Sequence, residues 1–167
     1  MKIAITVLLA LGFTAGVASS QTFADQIVGV NVGVCQTCDP QIQGGVFYAK
    51  RVVDSDHPIY SYSHLNIDKI TIDSVHPFRF ESITSMETGV AQHIRKFGAF
   101  NVFGLATGGL AIDSDNKGFS YGGGVMATTA LGKKRQFPIG FYGGPSRTAI
   151  TPGTGWKFGL TLGYGPK

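Results

Sequence analysis

Charge is scarce in this sequence: Asp, Glu, Lys and Arg make up 14% of the 167 residues, against 43% hydrophobic. A chain so poor in charge and so rich in apolar residues does not have the composition of a disordered segment. No basic cluster with interleaved aromatics occurs and the formal charge is a mild +4, so nucleic acid is not an expected partner. Cysteine is nearly absent. The two present, Cys35 and Cys38, form C-x-x-C with no further ligands nearby for a zinc centre. The spacing also lacks the βαβ context of a thioredoxin-type motif. A short-loop disulfide in an oxidising compartment is the expectation, ahead of two free thiols.

Long apolar runs are lacking as well, except at the start. Lys2 precedes an apolar stretch from Ile3 to Phe13, and Ala18 and Ser20 are placed for cleavage before Gln21. The stretch is short of the ~20 residues that a membrane-spanning helix needs. Residues 1–20 are therefore expected to be a cleaved signal peptide, and 21–167 a single domain. Past Gln21 no stretch could form a transmembrane helix, and no helical period of 3.6 stands out.

What the chain has instead is alternation and glycine, of which there are 24. Eight strand-like segments run from Gln26 to Cys35, Ile42 to Val53, Ile59 to Ile72, Phe78 to Arg95, Ala99 to Ile112, Phe119 to Leu131, Phe137 to about Ala149, and Trp156 to Tyr164. In the first, Val28, Val30, Val32 and Val34 alternate with Gly29, Asn31 and Gly33; in the last, every second residue from Trp156 to Tyr164 is large and apolar. Neighbouring strands must keep their apolar residues on one face. Hairpins that place Ile112 opposite Phe119, Leu131 opposite Phe137 and Ile94 opposite Phe100 satisfy that condition. The third segment changes phase between Ile67 and Ile70, where a β-bulge is expected.

The other face is small and polar, with Asn31, Ser120, Gly122, Gly124, Thr128, Lys157 and Thr161, although Phe103 and Leu105 also fall on it. Its densest charge is on the fourth segment, where Arg79, Glu81, Glu87, His93 and Arg95 share one parity with Ser85. A proton path or catalytic cluster is one reading of these five. A salt-bridged plug inside a barrel is the preferred one, since buried charges must be paired.

A soluble barrel hides its apolar face and a membrane barrel shows it, with the same alternation in both. Four features favour lipid: the compact glycine-rich polar face, segments as long as the ~9–11 residues that cross a bilayer at a tilt, the even strand count, and aromatics near strand ends. Those aromatics are Tyr60, Phe78, Phe100, Phe119, Tyr121, Phe137, Trp156 and Tyr164. In the terminal stretch from Lys157 to Tyr164, a polar residue leads, glycine sits two later, and apolar and aromatic residues close the pattern. This stretch looks like the β-signal of outer-membrane barrels, and the chain resembles the small eight-stranded barrels of the OmpA and OmpX type. The resemblance implies an all-β, eight-stranded antiparallel up-and-down transmembrane barrel in a bacterial outer membrane. It implies lipid and the barrel-assembly machinery as partners, the latter through the terminal strand, and a monomer. Trp156, Phe158, Leu160, Leu162 and Tyr164 would face lipid.

Other motifs carry little chemistry. The stretch from Asp113 to Gly118 has the opening of a calcium loop, but Lys117 stands where a ligand should be, so a polar hairpin turn is expected. The similar stretches from Asp54 to Pro58 and from Asp73 to Pro77 are read as two turns at opposite barrel ends. No cofactor, metal site or catalytic residues are expected. The expected role is structural or interactive, with no open pore, because eight strands leave an interior filled by side chains. Two alternatives stand beside it: a soluble exported barrel binding a small apolar ligand, and a barrel enzyme acting on envelope lipid.

Overall fold

A computed structural model describes residues 24–35, 41–67, 71–72, 80–81, 83–113, 115–131, 137–150 and 155–165. The segment 1–20, Cys38, Phe78 and Arg79 lie outside them, as does the side chain of Cys35, so the signal-peptide and disulfide expectations fall beyond the described residues.

Eight strands close into one antiparallel barrel: β1 (Gln26–Cys35), β2 (Gln41–Val53), β3 (Ile59–Ile67), β6 (Thr84–Phe97), β7 (Phe100–Ile112), β8 (Lys117–Leu131), β9 (Phe137–Thr148) and β10 (Gly155–Tyr164). Each strand of the wall pairs with the next along it, and β10 returns to β1. Closure leaves no free sheet edge. Two further strands, β4 (Thr71–Ile72) and β5 (Phe80–Glu81), pair only with each other between β3 and β6. The segments expected at 59–72 and 78–95 are thus each split. The pairing of Ile67 with Gly44 on one side and Thr84 on the other is the last that β3 makes. β2 runs on to Gln41 against β1 alone, and Thr71 and Ile72 pair with Glu81 and Phe80 in a ribbon separate from the wall.

The alternation of β1 and β10 sets the closing register. Val28, Val30, Val32 and Val34 stand opposite Tyr164, Leu162, Leu160 and Phe158, so two apolar ribbons meet on one face. The β8–β9 hairpin pairs Leu131 with Phe137 as expected. Two other registers differ from expectation. Between β7 and β8, Leu110 pairs with Phe119 and Ile112 with Lys117. The Asp113 carboxylate accepts the backbone N–H groups of Asp115 and Asn116 at 2.8 and 2.6 Å, and its own N–H bonds to the Asn116 carbonyl at 3.0 Å. This side-chain turn closes the hairpin two residues earlier, a shift that leaves every side chain on its face. Between β6 and β7, Phe97 pairs with Phe100 across Gly98 and Ala99. Gly98 has a φ of 57°, a left-handed conformation that glycine adopts without steric cost. The register then shifts between His93 and Arg95, so Ile94 has no partner opposite it.

The barrel is inside-out relative to a water-soluble protein. All eight wall strands expose large apolar side chains, among them Val30, Val46, Leu65, Met86, Leu110, Phe119, Phe141 and Leu160. Trp156, Phe158, Leu160, Leu162 and Tyr164 are all on this outer face. A water-facing surface does not carry an apolar band around its whole circumference. On this face the Ser63 and Thr88 side chains are joined by a hydroxyl–hydroxyl bond of 3.1 Å. Aromatics concentrate at two levels. Phe97, Phe137 and Tyr164 lie towards the end that carries the chain termini, and Phe119, Tyr121, Trp156 and Phe158 towards the other.

Tyr60 is not part of either level. It points into the barrel and is 3% exposed, because the phase of β3 puts Tyr60, Tyr62, His64 and Asn66 on the inner face.

Candidate functional site in the barrel lumen

The lumen has two halves. At the end with the termini it is filled by rings: Phe47, Tyr60, Tyr62 and Phe103 are buried together with Ala49 and Ala91, with Ile27, Leu105 and Met126 against them. Phe47 stacks on Tyr62 with centroids 5.7 Å apart, and Tyr60 meets Phe103 edge-on at 6.1 Å. His93 packs on Phe103 at 5.3 Å and on His57 at 5.5 Å, closing that end. Arg51 bridges Asp25 and Asp54 at its rim. The plug of paired charges expected in the lumen is therefore, in this half, a plug of aromatic rings. Phe103 and Leu105, which fell on the polar side of their strand, belong to it.

The other half is a chamber of about 70 Å³, where Asn31, Gln43, His64, Asn66, Glu87 and Lys157 share the wall with Leu105, Met126 and several glycines. Strand pairing builds it. Asn31 lies opposite Thr161 and Gly45, Gly45 opposite Asn66, and Asn66 opposite Ser85, giving a belt of small and polar side chains across five strands. Glu87 sits one step further along β6, opposite His64 and Gly109.

Glu87 is 3% exposed, and its carboxylate is held from three strands. His64 approaches Oε2 at 3.0 Å, the Thr107 hydroxyl donates to the same oxygen at 2.5 Å, and the Ser120 hydroxyl donates to Oε1. This bonding satisfies a buried acidic group and ties β3, β6, β7 and β8 together. It does not make a nucleophile. In a Ser-His-acid triad the imidazole stands between the serine and the carboxylate. Here the carboxylate stands between Ser120 and His64, so the hydroxyl is bonded to the carboxylate and not to the imidazole that would have to take its proton.

Of the five inward charges expected from parity, Glu87 and His93 are buried in the lumen, at different levels. Arg95 is not: the irregularity at Ile94 reverses the phase of β6, and Arg95 is exposed. Glu81 lies in β5, away from the barrel wall, and Arg79 is outside the described residues. The charges were expected to pair among themselves, yet the partners found for Glu87 are His64, Thr107 and Ser120. These three, with Gln43, Asn66 and Tyr142, did not stand out in the sequence as a group. The available signal was the pairing of β3 with β6, which brings His64 to Glu87. Among the described residues no cluster of three or more His, Cys, Asp or Glu is placed to hold a metal. The expected turn at Asp113 to Asn116 is a turn, with its carboxylate turned to the backbone.

No family model matches the sequence, and no curated protein matches it. Solved structures do. A designed transmembrane β-barrel is 12% identical over 87% of this chain and 98% of its own, with a TM-score of 0.51. The outer-membrane protein Ail of Yersinia pestis, in a phospholipid nanodisc, is 12% identical over 83% of this chain and 99% of its own, with a TM-score of 0.47. The same protein in its crystal form is 14% identical over 83% and 95%, with a TM-score of 0.43. At these identities the likeness is one of fold: the chain is an eight-stranded antiparallel meander with the architecture of a transmembrane β-barrel.

Proposed function

We propose that this chain is a small bacterial outer-membrane β-barrel with a structural or surface-interaction role and no open pore. The observation that carries this reading is the apolar outer face, to which every strand of a closed wall contributes, with rings at two levels. Only a lipid environment makes such a face favourable, since in water it would drive association. Export through a cleaved signal peptide supplies the route. The terminal strand, with Lys157 leading and Tyr164 closing, is the segment the assembly machinery would engage. Both termini then lie on the periplasmic side. The connections after β1, β3, β7 and β9, including the β4–β5 ribbon, face outwards.

The aromatic half of the lumen supports the absence of a pore, and the order of bonds around Glu87 supports a non-enzymatic role. A soluble barrel with a small apolar ligand fits less well, because a chamber of about 70 Å³ is too small for one. Cell fractionation tests the reading. The protein is expected in the detergent-extracted outer-membrane fraction, migrating differently on a gel before and after boiling. Recovery in the soluble periplasm without detergent would overturn it.

A further inference from the structure

The carboxylate of the lumen chamber is satisfied, but its amides are not. The side-chain oxygens of Asn31, Gln43 and Asn66 are buried with no hydrogen-bond partner, in residues that are 6%, 3% and 7% exposed. All three residues line the same chamber. Two of the amides have their nitrogens occupied elsewhere. Gln43 Nε2 donates to the Tyr142 hydroxyl at 2.5 Å, and Asn31 is hydrogen-bonded to Tyr62. The atoms left over are therefore acceptors.

Two of them converge. A side chain at Gly45 would meet Asn31 Oδ1 at 3.0 Å and would collide with Asn66 Oδ1. Both oxygens thus lie against the gap that this glycine leaves in the wall. Negative dipole ends gathered around one small space repel each other unless a donor or a positive charge sits among them. Lys157 lines the chamber, but none of these oxygens has it as a partner.

We propose that the chamber binds a compact monovalent metal cation, an alkali ion, through the amide oxygens of Asn31, Gln43 and Asn66. Hard cations take oxygen ligands, and neutral carbonyl-type oxygens suit a single positive charge. A divalent ion would need carboxylates. Glu87, the one carboxylate lining the chamber among the described residues, is already held by three donors, and Lys157 adds a positive charge to the same wall. A chamber of about 70 Å³ has room for an ion and a few waters. The aromatic half of the lumen closes it on one side, so the ion is held rather than conducted.

The test uses the mature protein in lipid nanodiscs, with the side-chain amide resonances of Asn31, Gln43 and Asn66 followed by NMR. Potassium or sodium chloride is titrated against N-methyl-D-glucamine chloride at constant ionic strength. A saturable shift of these three amides with the alkali ion, absent with the bulky cation, is expected. Asn66→Leu should raise the half-saturation concentration about ten-fold or more. Where Asn66→Leu does not give a dispersed spectrum, Gln43→Leu makes the same comparison. Equal responses to both monovalent salts, which would mean water alone, would overturn the proposal. So would saturation by calcium at lower concentration than by potassium.

Discussion

Removing the carboxylate of Glu87 would strand three donors at once, on His64, Thr107 and Ser120. A buried donor left unpaired costs about 1–3 kcal/mol, so Glu87→Leu is expected to destabilise the barrel by about 3 kcal/mol. Urea unfolding in lipid vesicles measures this, and a change below about 1 kcal/mol would show that water takes the place of the carboxylate. Single residues were legible in the sequence only where phase alone decides. Glu87 and His93 point inwards as parity requires, and both are buried. Arg95 does not, because the irregularity at Ile94 reverses the phase, and nothing in the local pattern marks that residue as an extra one. The amide oxygens of Asn31, Gln43 and Asn66 were illegible for a different reason. What singles them out is the lack of a partner, which depends on strands far apart in the chain.

The strands themselves were the most legible level. The expected limits of all eight segments lie within about two residues of barrel strands at one end or both, since alternation and turn residues mark where a ladder starts and stops. The split of β3 from β4 falls where the third segment changes phase, a break that a β-bulge within one strand explains equally well, so the pattern alone did not separate them. The two-residue shift of the β7–β8 hairpin was hidden because parity is blind to even shifts. The last strand allows a direct test of which way its faces look. Leu160 sits opposite Val32 on one side and Phe141 on the other, on the outer face. An arginine near the middle of a lipid-facing strand costs about 2–4 kcal/mol. Leu160→Arg is therefore expected to lower stability in vesicles by about that amount. An unchanged midpoint would mean that β10 faces water.

For the molecule as a whole, closure, the apolar exterior and the two-part lumen follow from one arrangement of eight alternating strands. The sequence showed the alternation and the even count, but a soluble and a membrane barrel share both, and what filled the lumen could not be read before the strands were paired. The central claim is that the outer face meets lipid, and the chain has one tryptophan with which to test it. Trp156 is 49% exposed on that face, near the end of the barrel away from the termini. Its fluorescence in vesicles should be quenched by lipids brominated along the acyl chain, more strongly for bromines close to the headgroup than for those at the bilayer centre. It should be little affected by iodide in the water. Strong quenching by iodide with no response to brominated lipid would contradict a lipid-facing wall.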